Sequence, residues 1–383
     1  MRFLFVKARL GWPRTYGHDV HGYEMMRALA ALGHEVALAT DEPPSPQALA
    51  GLPLSGRWVL DDVTPDPRPL ALSYLQERYR SYWGIPTRRI SALKHVVDDW
   101  KADVVVVVGL EILPYLAGAG TAQRIWYAAD EWVWHYVSQL RADPRGVIDH
   151  VKAALIKGFY ERAYGPLMDR VWVVSPAERR AMRIVSGATQ IDVLPNGVDT
   201  DAFAPLPATP APHSAVFWGR LGFGPNLQAL RWFTERVWPL VRRDTPDATF
   251  AILGADPPPE IAALDGRDGI VVVANPVDLR PEISRCAVVV MPFVSGGGIK
   301  NKFLEAAAMG RPIVTTTQAT RGLRTPPPVS CADDPRSFAA AIRALWADPA
   351  RAHALGQDAR TWVLMHHTWR ATAMSAVQSI ASR

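Results

Sequence analysis

Short apolar runs alternate with longer segments of helical periodicity along most of the chain. The runs at 2–8 (RFLFVKA) and 35–40 (EVALAT) flank a segment at 20–32 whose apolar residues recur with the period of an α-helix. Asp19 is a suitable N-cap for this helix, and Gly33 is a suitable end. A strand, a helix and a second strand in this order predict a parallel sheet with a right-handed crossover.

The same alternation continues through the chain and predicts an α/β architecture. Strands are predicted at 2–8, 35–40, 57–60, 103–108, 124–128, 170–174, 191–194, 215–218, 249–253, 270–273, 287–293 and 312–316. Helices are predicted at 20–32, 70–83, 87–100, 146–164, 226–241, 279–284, 299–309, 337–346 and 355–382. Ser175 and Glu178 have the spacing of a capping box, which would open a further helix.

A Pro- and Ala-rich stretch without periodicity at 201–214 is the predicted domain boundary. It separates a doubly wound, Rossmann-like domain at 1–200 from a second one at 215–360. The last segment, 361–383, is predicted as a helix that crosses back onto the first domain. A length of 383 residues suits two domains better than one core.

Composition is that of a globular protein, with 49% hydrophobic and 21% charged residues. Two cysteines exclude a disulfide framework, and the apolar run at 104–116 is interrupted by glycine, glutamate and proline. The first residues are too short and too basic for a signal peptide, so a cytoplasmic location is expected. The basic surface permits peripheral contact with the cytoplasmic face of a membrane, but no amphipathic helix in the sequence is compelling enough to predict it.

The net charge of +5 fits nucleic acid, anionic lipid or an anionic small substrate. Because the arginines are scattered and no nucleic-acid module is recognisable, no nucleic-acid partner is expected. No Asp-x-Asp pair ends a strand, and Asp61-Asp62 and His366-His367 lack the spacing of a metal site. We therefore expect no metal and no cofactor. The oligomeric state is not addressed by the sequence.

The most informative stretch is 295–312, SGGGIKNKFLEAAAMGRP, which joins an apolar strand to a helix through three glycines. Such a turn lets the backbone approach a ligand, and free N–H groups with the helix dipole favour an anion. Lys300 and Lys302 add cations where the dipole alone disfavours them, which indicates a bound phosphate or diphosphate. Glu305, one turn on, is placed to accept hydrogen bonds from sugar hydroxyls. The alternative is an ordinary surface helix with Lys302 and Glu305 as a solvated pair.

Four residues that follow strands of the first half are candidate ligand-binding, acceptor-side or catalytic residues, because ligands bind at the carboxyl ends of parallel strands. These residues are Gly17, His18, Glu111 and Asp130. Asp130 could instead be a helix N-cap or part of a loop ion pair. The histidines at 21 and 135 are weaker candidates than His18. The absence of G-x-G-x-x-G disfavours a nicotinamide or flavin enzyme.

Three segments together resemble the retaining GT-B glycosyltransferases of family 4: PNGVD at 195–199, Gly219-Arg220, and SGGGIKNKFLEAAAMGRPIVTT from Ser295. The resemblance extends over 215–323 and is closest to the sugar-transferase subgroup with a GGG-x-(K/R)-x-K-x-LEA motif. It implies a GT-B fold, two Rossmann-like domains facing a central cleft. It also implies that the second domain binds a nucleotide sugar and the first an acceptor.

The resemblance implies a role for individual residues as well. Glu305 matches the ribose-binding glutamate, Arg220 the arginine at the diphosphate, and Val277 lies in the loop that contacts the base. Leu304 and the glycines would donate backbone N–H groups to phosphate, and Gly17 would approach the donor. The full expected donor set is Gly17, Gly219, Arg220, Val277, Ser295, Gly296, Gly297, Gly298, Lys300, Asn301, Lys302, Leu304 and Glu305.

Three departures from the family pattern bear on function, and one is that the histidine usual in the first domain is not recognisable near Asp130. Pro225 stands where a second diphosphate-binding lysine is usual, so Lys302, or Lys300 as second choice, would replace it. Gly297 stands where the family has a glutamate that contacts the donor sugar. The expected catalytic residues are Arg220, Lys302, Asp130 and His18, and Glu111 and Asp130 are expected on the acceptor side.

The expected activity is metal-independent, retaining transfer of a hexose from a UDP- or GDP-type sugar to a glycan, a lipid-linked sugar or a small aglycone. The alternatives are a non-catalytic nucleotide-sugar-binding subunit and a GT-B nucleotide-sugar epimerase. A pyridoxal-phosphate-dependent phosphorylase of this architecture would need a much longer chain.

Overall fold

The computed structural model describes residues 1–12, 17–128, 133, 136, 147–296, 299–323 and 325–381. The chain divides into two compact units, of which unit 1 is Met1–Pro195 with Thr372–Arg383 and unit 2 is Asn196–Ala371. Each unit contains a parallel sheet joined by helices, as the alternating pattern predicts. Within the described residues, no helix is both long enough and apolar enough to span a bilayer.

The sheet of unit 1 has seven strands in the order β3-β2-β1-β4-β5-β6-β7. Its central strands are buried on both faces, which accounts for sequences such as VVVVV in β4. The strands are β1 (Arg2–Lys7), β2 (Glu35–Thr40), β3 (Gly56–Val59), β4 (Val104–Val108), β5 (Gln123–Tyr127), β6 (Arg170–Val173) and β7 (Ile191–Val193). The helices are α1 (Gly17–Ala31), α2 (Pro46–Leu49), α3 (Tyr74–Tyr82), α4 (Thr87–Trp100), α5 (Val147–Tyr164) and α6 (Pro176–Val185).

The sheet of unit 2 has six strands in the order β10-β9-β8-β11-β12-β13. The strands are β8 (Ala211–Arg220), β9 (Thr249–Ala255), β10 (Ile270–Ala274), β11 (Cys286–Met291), β12 (Ile313–Thr315) and β13 (Ser330–Cys331). The helices are α7 (Gly224–Trp232), α8 (Trp238–Asp244), α9 (Pro259–Ala262), α10 (Arg280–Arg285), α11 (Asn301–Ala308), α12 (Thr317–Thr320), α13 (Pro335–Ala347) and α14 (Pro349–His366). The last helix, α15 (Trp369–Ala381), begins in unit 2 and ends in unit 1.

The helix predicted at 226–241 is interrupted by a π-helical turn at Phe233–Val237. Pro239 has no N–H to donate to the carbonyl four residues earlier, and its ring would clash with that carbonyl. The hydrogen-bond ladder therefore widens, and the N–H of Trp238 reaches the carbonyl of Phe233.

Three further sequence-based expectations were wrong in detail. Asp19 is not an N-cap, because α1 already begins at Gly17 and the Asp19 side chain is buried. The predicted linker 201–214 ends inside β8, which begins at Ala211. The helix predicted at 355–382 is two helices, separated at His367-Thr368, where the chain pairs with 196–198.

The PNGVD turn at 195–199 explains why α14 and α15 are separate helices. The N–H of Val198 donates to the carbonyl of His367 at 2.9 Å, and His367 Nδ1 lies 2.9 Å from the carbonyl of Asn196. A Cβ on Gly197 would lie 2.4 Å from the backbone nitrogen of Trp369, so only glycine permits this approach. The turn thus fixes the junction between α14 and α15 within unit 2.

Candidate functional site

In each unit the strand order reverses at one place, between β1 and β4 in unit 1 and between β8 and β11 in unit 2. Open parallel sheets bind ligands at the carboxyl ends of the strands beside such a reversal. In unit 2, β8 ends with Gly219 and Arg220, and the glycine loop follows β11. The strand order therefore brings the two main parts of the predicted donor site to one edge of this sheet.

At this edge of the sheet, the backbones of β8 and β9 pack closely against each other. Gly219 and Gly254 are register partners on β8 and β9, with φ of 143° and 155°. A Cβ on Gly254 would lie 1.7 Å from the carbonyl oxygen of Gly219, and one on Gly219 would lie 2.5 Å from Lys302 Nζ. Gly254 therefore permits the close approach of the two strands, and Gly219 leaves the space that the lysine head occupies.

Lys302 reaches from the first turn of α11 to the end of β8. Its Nζ donates to Asn226 Oδ1 at 2.7 Å and lies 4.6 Å from the ring centroid of Phe217 and 5.2 Å from that of Phe293. Burial lowers the pKa of Lys302 to about 7, partly offset by the charge of Glu305. A nearby anion would favour the charged form of this lysine.

Asn226 was missed as a site residue by the sequence analysis. Its amide nitrogen donates to the carbonyl of Arg220 at 2.8 Å while its oxygen accepts from Lys302. One buried side chain thereby links the end of β8 to the lysine head. Its position in α7 carries no local sequence signal, because the link is formed only when the strand and helix meet.

Arg220 ends β8 with an exposed side chain. Its backbone carbonyl accepts from Phe223 N at 3.1 Å and from Asn226, which fixes the turn. Among the described residues, no carboxylate or carbonyl partner is found for its guanidinium. An exposed guanidinium on the strand end that Asn226 links to the Lys302 ammonium is suited to a phosphate or carboxylate ligand.

Glu305 is held by a buried tryptophan. Trp218 Nε1 donates to Glu305 Oε2 at 2.9 Å, and burial raises the pKa of Glu305 against the opposing effect of that hydrogen bond. Glu305 and Lys302 each have their own partner and neither is fully exposed. The alternative of a solvated lysine–glutamate pair on a surface helix is therefore wrong.

At the N-terminus of α11, one backbone N–H group that was expected to bind phosphate is already hydrogen-bonded within the helix. Lys300 is the N-cap without a side-chain capping bond, and the N–H groups of Phe303 and Leu304 both donate to its carbonyl, at 2.9 and 3.4 Å. Leu304 N–H is therefore engaged within the helix, and its side chain belongs to the core. The groups that precede it, on Asn301 and Lys302, are better placed for an anion.

The described part of the glycine loop is anchored on both sides. Ser295 Oγ donates to Gln228 Oε1, and Gln318 Nε2 donates to the carbonyl of Gly296 at 2.9 Å. Gly296 has a φ of 89°, and a Cβ there would lie 3.1 Å from Lys300 Nζ. Lys300 Nζ also lies 5.3 Å from the Phe293 ring centroid. Gly297 and Gly298 lie outside the described residues.

The remaining donor candidates are placed as follows. Val277 is fully exposed in the loop after β10. Asn275, in the same loop, has a φ of 50° and donates its N–H to the carbonyl of Gly254 at 2.8 Å. Asn301 Oδ1 accepts from Asn196 Nδ2 at 2.8 Å, which ties the PNGVD turn to α11.

A buried ion pair lies beside the strand reversal of unit 1. Lys7 and Asp19 are 1% and 2% exposed, with Nζ 3.1 Å from Oδ1, and Lys7 Nζ also donates to the carbonyl of His18 at 3.2 Å. Gly17 and His18 form the first turn of α1 above this pair. Burial, and next the charge of Lys7, lower the pKa of His18, which keeps its imidazole neutral near pH 7.

Glu111 follows β4 and has an exposed side chain, while its carbonyl accepts from Tyr160 OH at 3.0 Å. His21 is buried against Tyr127 OH at 2.9 Å, and burial lowers its pKa to about 3, so it is a core residue. Asp130 and His135 lie outside the described residues. Over the described ranges, no cluster of three His, Cys, Asp or Glu residues has the geometry of a metal site.

Two family models match the chain, described as "Glycosyltransferase Family 4" over residues 16–202 and "Glycosyl transferases group 1" over residues 212–348. A curated relative is 29% identical over 253 residues, which is 58% of this chain and 64% of the relative. It is the GDP-mannose-dependent alpha-(1-6)-phosphatidylinositol monomannoside mannosyltransferase of Mycolicibacterium smegmatis. The chain thus matches somewhat less than two thirds of that relative's length.

Solved structures of similar fold cover nearly the whole chain. Sucrose-phosphate synthase from Thermosynechococcus elongatus has a TM-score of 0.65 at 18% identity and covers 98% of this chain and 97% of its own. Anabaena HepE, solved with UDP and glucose, has a TM-score of 0.64 at 12% identity over 100% of both chains. These identities show the fold alone. With its two parallel-sheet units and two family matches, the chain is a glycosyltransferase of the GT-B fold, with a family 4 domain followed by a group 1 domain.

Proposed function

We propose that the chain transfers a hexose from a nucleoside diphosphate sugar to an acceptor hydroxyl, with retention at the anomeric carbon and without a metal ion. The observation that carries this proposal is the link that Asn226 makes between the backbone carbonyl of Arg220 and the ammonium of Lys302, which lies in the first turn of α11. A cationic residue ends β8, and the Lys302 ammonium and the N-terminus of α11 lie at the same strand end, where Gly219 leaves room for the lysine head.

The chemistry needs negative charge to be stabilised on the departing diphosphate. As the bond from the anomeric carbon to the diphosphate oxygen breaks, that oxygen takes the bonding electrons. The acceptor oxygen forms the new bond on the same face of the sugar and passes its proton to a base or to the departing diphosphate oxygen. Cations fixed in advance where this charge develops contribute several kcal/mol to such a step, about 100-fold or more in rate for each group.

Lys302 takes the place of the lysine that is usual where Pro225 stands. Pro225 instead packs beside the glycine loop, 3.0 Å from the position of a Cβ on Gly296. Asn226, which follows Pro225 on α7, holds the Lys302 ammonium at the end of β8.

Glu305 is proposed to bind the nucleotide ribose. Trp218 occupies one carboxylate oxygen, which fixes the side chain and leaves the other oxygen to accept hydroxyl hydrogen bonds. A UDP or GDP donor fits what the relatives are named for, GDP-mannose in one and UDP in the other.

Acceptor binding is assigned to unit 1. His18 is a candidate base because its imidazole is neutral near pH 7, and Glu111 is a candidate for binding acceptor hydroxyls. Gly17 keeps the role implied by the resemblance, and Asp130 stays a candidate acceptor-side or catalytic group because it follows a predicted strand. The acceptor is proposed to be a glycan, a lipid-linked sugar or a small aglycone; the curated relative is named for a lipid-linked one. A cytoplasmic location remains the sequence-based expectation.

The test is donor consumption in the presence of a chelator. UDP- and GDP-sugars are incubated with the purified chain, a panel of glycan and lipid-linked acceptors, and EDTA, and the free nucleoside diphosphate is measured. We expect release that EDTA does not reduce, and a product whose anomeric configuration by NMR equals that of the donor. An inverted product, or activity that disappears with EDTA, contradicts the proposed mechanism.

Arg220→Ala should lower kcat by about 100-fold or more. Arg236→Ala, which replaces another exposed arginine of unit 2, should not lower it.

Two alternative functions are tested in the same assay, because Gly297 stands where the family has a glutamate that contacts the donor sugar. A donor-binding subunit would bind nucleotide and release none of the sugar. An epimerase would convert the donor's sugar without any acceptor.

A further inference from the structure

The outward side of α5 is apolar where a surface helix is ordinarily polar. Ile148, Leu155 and Phe159 are 82%, 57% and 62% exposed, and Val151 lies between them on the same side of the helix. With spacings of three and four residues they form one continuous row, which we call the outer stripe. Together with Lys152 they line an open, shallow groove.

The outer stripe cannot be explained as unit 1 core. The opposite side of α5 already supplies that core through Tyr160 and Tyr164, which are fully buried. A row of large apolar side chains outside the core marks an interaction surface, because water contact with it is unfavourable.

Two neighbouring helices, α3 and α6, contact α5. On one side, α3 is tied to it by Gln76 Nε2, which donates to the carbonyl of Ala163 at 3.0 Å. On the other side, α6 approaches until Val185 Cγ1 lies 3.9 Å from the position of a Cβ on Gly158. Both helices expose further large apolar side chains, namely Tyr74, Leu75, Tyr82 and Ile184.

Cations accompany these apolar side chains. Lys152 lies in the outer stripe's groove, and Arg179, Arg180 and Arg183 are exposed along α6. Within the part of the chain that the structure describes, none of the four is ion-paired. The exposed carboxylate of α5, Asp149, lies in its first turn, where the helix dipole accounts for it.

We propose that the surface formed by α3, α5 and α6 docks on an anionic lipid membrane. Apolar side chains would enter the boundary between headgroups and acyl chains, while Lys152 and the arginines of α6 meet anionic headgroups. Helix α5 would lie on the membrane rather than cross it, since it does not have the apolar character of a spanning helix.

Charge favours this occupant over a second copy of the chain. In a twofold dimer two copies of this surface face each other, so the net positive charge of its helices in one copy faces the same net charge in the other. Like charges brought together in this way oppose association. An anionic membrane instead gains from each of these cations, by about fivefold in affinity per residue.

The test uses the full chain and co-sedimentation with vesicles of phosphatidylcholine alone or mixed with phosphatidylglycerol. We expect binding to the anionic vesicles that weakens as salt is raised. Substituting Arg179→Gln, Arg180→Gln and Arg183→Gln should reduce that binding about 100-fold. The matched substitutions Arg236→Gln, Arg336→Gln and Arg351→Gln, on exposed arginines of unit 2, should reduce it little.

The apolar contribution is tested separately with Leu155→Ser and Phe159→Ser, which should lower vesicle binding tenfold or more. Leu364→Ser with Met365→Ser, at exposed apolar positions of α14, is the control. Equal binding by all variants, or no preference for anionic vesicles, overturns the proposal. So does a dimer, seen by sedimentation velocity, that the Leu155 and Phe159 substitutions abolish in a chain that binds no vesicles. The donor-consumption assay is independent of these outcomes, so an experiment can contradict the proposed function without contradicting the proposed membrane-docking surface, and the reverse.

Discussion

At the scale of single residues, Lys302 combines a cationic role with a pKa lowered to about 7 by burial. A donor diphosphate favours the charged ammonium, so binding raises this pKa and takes up a proton above pH 7. Donor affinity should therefore fall as the pH rises from 7 to 9, by at most about tenfold per pH unit. Calorimetry in buffers of different ionisation enthalpy would measure the affinity and the proton uptake together.

A nucleotide sugar is the right ligand for that experiment, because its diphosphate is esterified at both ends and does not titrate near pH 7. Lys302→Met should bind weakly at every pH and take up no proton. Lys302→Arg should keep its charge and so lose the pH dependence. A wild-type affinity that is constant over this range would contradict the role assigned to Lys302.

Trp218 is expected to act on nucleotide binding through Glu305. Trp218→Phe removes the N–H that holds the carboxylate and should lower nucleotide affinity about threefold to tenfold, since one hydrogen bond contributes about 1 kcal/mol. Trp238→Phe is a matched control, because Trp238 is equally buried and donates to the carbonyl of Asp268 at 2.9 Å. Both variants should lose similar stability in thermal unfolding. Equal nucleotide affinities in the two would show that Trp218 is only structural.

At the scale of elements, the close packing at the end of β8 requires glycine at position 219. Gly219→Ala adds a Cβ at a φ of 143° and at 2.5 Å from Lys302 Nζ, so the lysine head must move. We expect a loss of about 1–3 kcal/mol in the free energy of unfolding and weaker nucleotide binding.

Gly224→Ala is the control for this substitution, since a Cβ there would meet nothing within 4 Å at the start of α7. It should leave stability unchanged or slightly raised. If Gly219→Ala were as well tolerated as Gly224→Ala, the close packing at the end of β8 would be disproved. Denaturant unfolding measures both.

Elements with strong local signals were predicted from the sequence. Strand β2 and helix α4 have the predicted bounds, and the capping box of Ser175 and Glu178 is present in both directions. Periodicity, caps and glycine stops act within a few residues, so they are visible in one sequence. The π-helical turn before Trp238 was missed, because a proline in a helical pattern can also end the helix.

The candidate site was predicted where it is local and missed where it is not. The glycine loop, Lys302 and Glu305 lie within one strand–loop–helix segment, and motif reading found them. Asn226 and Trp218, which hold those two side chains, are distant along the chain. The pairing of Lys7 with Asp19 was missed for the same reason, since it depends on how α1 packs against β1.

At the scale of the whole molecule, the chain leaves unit 1 after Pro195 and returns to it from Thr372. The returning part of α15 completes unit 1, with Ser379 Oγ accepting from Trp172 Nε1 at 3.3 Å and Thr372 Oγ1 donating to the carbonyl of Pro195 at 2.9 Å. Ending the chain after Ala371 should therefore destabilise unit 1 by several kcal/mol, because buried residues such as Ala376 and Ile380 are lost.

Ending the chain after Ala381 is the matched control and should unfold like the full chain. Hydrogen exchange resolved by peptide would assign the effect, with faster exchange in β5 and β6 and little change in β9 and β11. A uniform loss of protection in both units, or no loss in either, would contradict the assignment of this helix to unit 1.

The central claim is that unit 2 binds a nucleoside diphosphate between Arg220, Lys302 and the N-terminus of α11. The most direct measurement is a thermal-unfolding panel with UDP, GDP, ADP and TDP, without metal, on the wild-type chain and on Arg220→Ala and Arg236→Ala. A nucleotide at about 100 times its Kd adds roughly 2.7 kcal/mol of stability. We expect one nucleotide to stabilise the wild type and Arg236→Ala and to leave Arg220→Ala nearly unchanged. Stabilisation by none of them, or by one of them equally in all three proteins, would contradict the claim.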